Sequence, residues 1–200
     1  MNPRSRTPRI RTERLLMREW RNDDLAPFAV LNADPRVTEH FASSLTPPES
    51  DDLVERIRTC WRERGYGLWA LERTDTGEFI GYTGLWPAEF DAPFTPAVEV
   101  GWRLAPEHWG HGFATEAGHE AVRYGFETVG LPEIVSFTAT GNARSRRVME
   151  RLGLQRDPDG DFAHPAMPPG HAARSHVLYR LRAEDRDDRA VSRGPRTRCR

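Results

Sequence analysis

The sequence predicts a single α/β domain of the α+β kind, and three observations carry that reading. Strand-like runs alternate with amphipathic helical runs over most of the chain. One of those strands leads straight into a glycine turn, Gly110-His111-Gly112, that opens a helix. The chain of 200 residues, 38% of them hydrophobic and including six Trp and nine Phe, suffices for one sizeable core and is short for two.

Residues 1–9 are rich in Arg and Pro and read as a flexible arm; the domain is expected to span 10–182. Arg14 to Trp20 reads as the first strand, and Asn22-Asp23-Asp24 can cap a helix beginning near Leu25. A second helical piece follows Asp34-Pro35, because Pro suits a first helical turn. Pro47-Pro48-Glu49 starts a long helix with Leu53, Ile57, Cys60 and Trp61 on one face, stopped by Gly65 and Gly67. Strands are expected at 68–72 and 79–86, joined through the hairpin turn Asp75-Thr76-Gly77, and again at 97–104. A helix over 113–128, a strand over 133–138 and a helix over 142–152, ended by Gly153, come next. The Pro-, Gly- and His-rich stretch 157–173 reads as a loop, with room for a short strand near Gln155, and 175–181 reads as the last strand. From Ala183 onward the chain is charged and core-poor, which predicts a disordered tail over 183–200.

Composition excludes several functions. A mean hydropathy of -0.70, with no apolar run near the ~20 residues of a spanning helix, argues against a membrane protein. The N-terminus is basic but has no apolar segment after it, so it is not a signal peptide, and a cytoplasmic protein is expected. A net charge of -1 leaves no nucleic-acid footprint. Cys60 and Cys199 are too few for a disulfide scaffold or a cysteine zinc site, and His108, His111, His164 and His171 lack the carboxylate spacing that would complete a metal site. All 29 basic residues are Arg. Without a Lys there is no pyridoxal Schiff base and no Walker-type phosphate loop. Exclusive Arg usage also suits a GC-rich genome, which suggests a bacterial source.

The chemistry is concentrated where the strand 97–104 meets Gly110-His111-Gly112-Phe113-Ala114-Thr115. A glycine turn opening a helix gathers backbone N–H groups at a positive helix end, and lets that backbone approach an anion. The helix carries small residues at Ala114, Ala117, Gly118, Ala121 and Gly125, a ridge that allows close packing on a sheet. A dinucleotide fingerprint would need a third glycine at Thr115 and an acid after the next strand; both are missing. Taken alone, such a turn is as readily an ordinary strand–helix connection. A second element, Asn142-Ala143-Arg144-Ser145, starts another helix straight after a strand, and Val148 through Leu152-Gly153 ends it.

Together these elements resemble the GNAT acetyltransferases, closest to the RimJ/RimL-like branch that acetylates ribosomal-protein N-termini. The resemblance rests on Arg11-Thr12-Glu13-Arg14-Leu15, then Glu99-Val100-Gly101-Trp102, Trp109 to Ala117, Asn142 with Ser145, Val148 and Met149, and His176-Val177-Leu178-Tyr179. It implies a mixed, mostly antiparallel central sheet splayed around an acetyl-CoA cleft, with helices on both faces. It also implies that Trp102 and Leu104 pair by backbone with the pantetheine arm. Amides of Gly110, His111, Gly112, Phe113, Ala114 and Thr115 would hold the pyrophosphate. Asn142 would bond the donor near the thioester, and Ser145 would reach the sulfur. Coenzyme A would be the product. The sequence departs from the wider superfamily at Trp109, in place of a Gln or Arg, at Met149, in place of the Tyr that protonates the departing thiolate, and at Leu154, in place of a Phe.

Such a reaction needs a base for the attacking amine. Glu99 is the candidate, on the strand bordering the cleft, sharing a face with Gly101 while Val98, Val100 and Trp102 face the other way. A solvated strand glutamate is the alternative. Glu39, His40 and His119 are weaker candidates. Glu116, in the first helical turn, reads as structural. The Arg144, Arg146 and Arg147 run reads equally as phosphate contact or as solvated surface, and Trp61, Trp69, Trp86 and Trp102 read as core rather than as a base-stacking platform. The acceptor pocket is expected from residues 25–45 and the loop 87–96. The expected function is acetyl transfer to a primary amine, a protein N-terminus or a small molecule, in a ternary complex, by a monomer or homodimer. An antibiotic- or metabolite-modifying acetyltransferase and a non-catalytic acyl-CoA-binding module are the alternatives.

Overall fold

The computed structural model describes residues 7–185. The tail from 186 on, including Cys199, and the first six residues of the expected arm lie outside them. Within the arm, residues 7–9 are held: Thr7 is buried, and the Pro8 carbonyl accepts from the Trp69 indole at 2.8 Å.

Eight strands form one sheet: β1 (Ile10–Arg11), β2 (Leu15–Arg18), β3 (Leu68–Arg73), β4 (Phe79–Ala88), β5 (Ala97–Leu104), β6 (Glu133–Ala139), β7 (Gln155–Ala163) and β8 (Ser175–Arg182). Their order is β1-β2-β3-β4-β5-β6-β8-β7, antiparallel throughout except for the parallel pair β5–β6. Five helices accompany them: α1 (Leu25–Ala33), α2 (Pro35–Thr38), α3 (Pro47–Arg64), α4 (Phe113–Tyr124) and α5 (Ala143–Leu152). No described helix is long and apolar enough to cross a membrane.

The helix boundaries follow from their caps. Asp34 accepts from the Arg36 amide at the start of α2, and Thr46 with Glu49 forms a capping box on α3. Asp24 does not cap α1. It closes a 3-10 turn over Asn22–Asp24 by accepting from the Arg21 amide, and it forms a forked pair with buried Arg18, whose Nε also donates to Glu72. The helix expected over 113–128 keeps its α form to Tyr124 and widens into a π turn over Gly125–Val129.

Helices cover both faces. On one, Phe28 of α1 packs edge-on against Trp20 and Tyr82. On the other, the small ridge of α4 does two jobs. A Cβ on Gly125 would lie 2.7 Å from Ile134 of β6, and one on Gly118 would lie 2.9 Å from Leu152 of α5, so the ridge seats α4 against sheet and helix alike. Trp61 and Trp69 are buried there with Tyr124, while Trp86 and Trp102 pack half-buried against the same core.

The loop expected over 157–173 is corrected in its first half. Residues 157–163 belong to β7, an edge strand pairing with β8 through a bulge between Asp157 and Phe162. An edge position tolerates Pro158 and Gly160, because only one side of the strand must donate to the ladder.

Candidate active site

The sheet opens between β5 and β6. These strands are in register only at Glu99 and Val135, where Ser136 Oγ donates to the Val100 carbonyl at 2.8 Å. Further along β5 no strand neighbours that edge. Antiparallel pairs alternate between bonded and non-bonded. Ala105 N–H donates to the Ile80 carbonyl, which makes Gly81–Leu104 a non-bonded pair. By the same alternation Val100, Trp102 and Leu104 direct their amides away from β4, toward the gap. The Leu104 carbonyl is taken by the Trp109 indole at 2.8 Å. Of the two residues expected to pair with the pantetheine arm, Trp102 therefore keeps both backbone groups on the gap and Leu104 only its N–H.

The glycine turn closes one lip of the gap. Gly110 (φ 80°) and Gly112 (φ 83°) are both left-handed, a conformation that β-branched residues in particular avoid. A Cβ on Gly110 would meet nothing within 4 Å, and one on Gly112 only the Arg14 guanidinium at 3.5 Å. The space over the turn is therefore empty of protein. His111 is exposed, and its carbonyl accepts from Arg14 at 2.9 Å. Phe113 begins α4 buried, Ala114 follows half-buried, and the Thr115 hydroxyl is buried with no hydrogen-bond partner. Arg14 flanks the turn on one side; Arg144 flanks it on the other, its guanidinium 4.8 Å from the Trp109 ring. Trp109 thus trades the superfamily's polar side chain for a shelf that carries an arginine. Arg146 turns instead to Tyr179 and Thr140, and Arg147 is exposed.

Glu116 fixes this lip in place. It accepts from Thr12 Oγ1 (2.5 Å), the Arg14 amide (2.9 Å) and Arg14 Nε (2.7 Å). Burial alone would raise its carboxyl, but the bonds from Thr12 and Arg14 hold it below the usual range. That is a structural role, tying the N-terminal segment to the first turn of α4.

At the other lip, α5 begins at the N-cap Asn142. Its Oδ1 accepts from the Ser145 amide at 3.1 Å and its Nδ2 donates to Thr138 Oγ1 at 3.0 Å, so the side chain expected to bond the donor is already engaged in holding the helix start. Ser145 is half-buried, and its hydroxyl makes no hydrogen bond to any described residue, including the preceding helix carbonyls. Met149 is buried in the core, one turn further on.

Glu99 sits where β5 and β6 part. Its Oε1 would lie 3.5 Å from a Cβ on Gly101, so the two share a face as the alternation requires. The carboxyl is half-buried and makes no hydrogen bond or ion pair with any described residue, and burial pushes its pKa up to about 8.

Rings gather on the same face. Phe90 and Phe94 of the 87–96 loop fold over the sheet onto Phe137 of β6 and Phe162 of β7, with His164 and His176 4.9 Å apart beside them. This cluster is separate from the main core, and its phenylalanines are half-buried. Burial pushes His176 down to about 4, helped by the charges of His164 and His40, so the ring is neutral at pH 7. The 87–96 loop, one of the two segments expected to line the acceptor pocket, thus packs onto rings of β6, β7 and β8. Among the weaker base candidates, His40 lies 3.9 Å from Glu39, and Glu39 and His119 are exposed. No group of three or more His, Cys, Asp or Glu among the described residues could hold a metal ion.

An opened sheet edge, a glycine turn with open space over it and a partnerless carboxyl of high pKa suit a transferase with an extended, anionic co-substrate. Comparison with known proteins gives the family. Residues 14–155 match the acetyltransferase (GNAT) domain, and the chain belongs to that family of N-acetyltransferases, whose acetyl donor is acetyl-CoA. It is 28% identical over 152 residues to the uncharacterised N-acetyltransferase YoaA of Bacillus subtilis, covering 75% of this chain and 84% of the relative. It is 33% identical over 162 residues to the FsC-acetyl coenzyme A-N(2)-transacetylase of Aspergillus fumigatus, covering 78% and 68%. Its fold matches the crystal structure of an acetyltransferase from Agrobacterium tumefaciens with a TM-score of 0.70 at 29% identity, covering 88% and 94%. The residues here fit that donor: space over Gly110 and Gly112, a buried and unpartnered Thr115 hydroxyl in the first turn of the helix they open, and Trp102 backbone groups directed to the gap.

Proposed function

We propose that this protein acetylates a primary amine by direct attack in a ternary complex, with Glu99 as the base. The observation that carries this is the Glu99 carboxyl, partnerless and poised near 8 at the point where the sheet opens. When bound, acetyl-CoA supplies a thioester-activated acetyl group. Glu99 takes the proton that the acceptor nitrogen loses as its bond to the acetyl carbon forms. A carboxyl near 8 is far better matched to an ammonium than an ordinary glutamate. The Trp102 amide groups orient the pantetheine arm, and the glycine turn with Arg14 and Arg144 carries the phosphates. The Ser145 hydroxyl offers a hydrogen bond to the sulfur as the carbon–sulfur bond breaks, and coenzyme A leaves.

Thiol release from acetyl-CoA, measured over a panel of amines and N-terminal peptides with both substrates varied, tests this reading. Intersecting initial-rate patterns are expected; parallel lines, or thiol release without acceptor, would end the ternary-complex mechanism. A protein N-terminus is one acceptor reading, supported by the RimJ/RimL-like runs at Arg11-Thr12-Glu13-Arg14 and Trp109 to Ala117. A small amine is the other; the name of one relative specifies acetyl transfer to an N(2) nitrogen.

Met149 leaves the thiolate without a tyrosine, and Ser145 is the free hydroxyl nearest in the motif. Ser145→Ala is expected to lower kcat roughly tenfold, about one net hydrogen bond, with the fold unchanged. Ser145→Cys should recover less than half of that loss, since a thiol is a weak donor. A native rate in Ser145→Ala would show that the thiolate takes its proton from solvent.

A further inference from the structure

Arg103 stands four residues beyond Glu99 on β5, and the alternation that pairs Glu99 with Gly101 puts Arg103 on the same face. Its guanidinium lies 4.0 Å from the Phe41 ring and 5.7 Å from the Tyr82 ring. Nη1 donates to Asn32 Oδ1 at 2.5 Å. Asn32 is fully buried in α1 and held in turn by donating to Ser50 Oγ at 2.8 Å. Nε is buried and has no hydrogen-bond partner, and no described carboxylate forms an ion pair with this arginine. Arg18 shows what the same sheet face does when an arginine is there for structure: it is met by Asp24 and Glu72, both within 2.7 Å. A cation held by two rings and a neutral amide, with one N–H unmet, is a poor stabilising device. It is instead a preorganised fork whose carboxylate is missing.

We propose that Arg103 receives a carboxylate carried by the acceptor, so that the substrate is a small amine with a carboxylate at its far end. This rests on the acetyl-transfer reading and decides between its two acceptors. Arg103 is only half-buried, the Phe41 ring that covers its guanidinium is itself 38% exposed, and Asn32 fixes its orientation. About 13 Å of extended strand separates the Cα atoms of Glu99 and Arg103, so an amine near the first and a carboxylate near the second are several bonds apart. A small amino acid ends at the guanidinium, whereas a peptide chain would have to continue past it.

The test compares unbranched ω-amino acids of graded length with their carboxamides, in turnover and in the rise of Tm they cause when coenzyme A is present. For the native enzyme the acids are expected to have KM values roughly 10- to 100-fold below those of the amides, with kcat alike. Arg103→Met, which keeps the stem between the two rings, should erase that preference while leaving the acetyl-CoA-induced rise in Tm intact. Arg103→Lys, which keeps the charge without the fork, should retain part of it. Equal KM values for acid and amide in the native enzyme, a preference that survives Arg103→Met, or N-terminal peptides outperforming every amino acid would each overturn the proposal. If no amine is turned over but the acids still raise Tm through Arg103, the acetyl-transfer reading fails and the carboxylate site stands.

Discussion

Gly112→Val is expected to abolish the rise in Tm that acetyl-CoA gives the native protein. The native turn holds Gly112 at φ 83°, and its Cβ position faces open space except for the Arg14 guanidinium at 3.5 Å. A valine there costs about 1–2 kcal/mol of backbone strain without striking protein backbone, so the variant should fold with a modestly lower Tm. What it would strike is a phosphate approaching the amides of 110 to 115. At acetyl-CoA concentrations about 100 times Kd the native protein gains about 2.7 kcal/mol, roughly 5–10 °C for a domain of this size. A variant bound 100-fold more weakly gains only about 0.4 kcal/mol under the same conditions. Differential scanning fluorimetry with and without acetyl-CoA distinguishes the two. An equal shift in both proteins would show that the donor's phosphates rest elsewhere.

How much of this was legible in the sequence depended on whether the signal was local. Strand β5 was legible to the residue, and the glycine turn announced its own conformation. Helices α2, α3 and α5 were marked by Pro and Gly at their ends, and Asp34 and Thr46 cap them as such residues do. The start of β7 near Gln155 was legible, but its continuation was hidden because Pro158 and Gly160 argue against a strand in isolation; only pairing with β8 makes one. Asn142 was legible as a helix start, but its full engagement with Thr138 and the Ser145 amide depends on contacts that motif spacing does not fix.

The ring cluster beside the site was the least legible part. Phe90, Phe94, Phe137, Phe162, His164 and His176 are scattered over nearly half the chain, and each reads alone as ordinary core or surface. The sheet order β5-β6-β8-β7 puts β6, β7 and β8 side by side, and the 87–96 loop folds back onto them. Arg103 was passed over for a related reason. Its meaning lies in the absence of a carboxylate partner, and a sequence that holds 30 acidic residues gives no sign of which arginine goes without one.

Glu99→Gln is expected to cut kcat by roughly 10²–10⁴ while leaving acetyl-CoA affinity nearly unchanged. The glutamine keeps the shape and the half-buried position but cannot accept a proton. The native pH profile carries the same information. Because the neutral acid is inactive as a base, kcat/KM should rise with pH and level off above about 8, following the Glu99 carboxyl of the free enzyme; in Glu99→Gln that step should vanish. Stability should move in the opposite sense. A carboxyl whose pKa is raised on folding, from near 4.5 to about 8, favours the folded state fully only below pH 4.5. Its penalty grows between the two values and is complete above 8. Glu99→Gln should therefore melt with the native protein near pH 4.5, increasingly above it as pH rises to about 8, and by a constant margin beyond. A slow variant whose Tm advantage grows with pH would identify one buried carboxyl as the source of both effects. An unaltered rate would move the base to water or to another group, and loss of acetyl-CoA binding would make Glu99 a structural residue of the cleft.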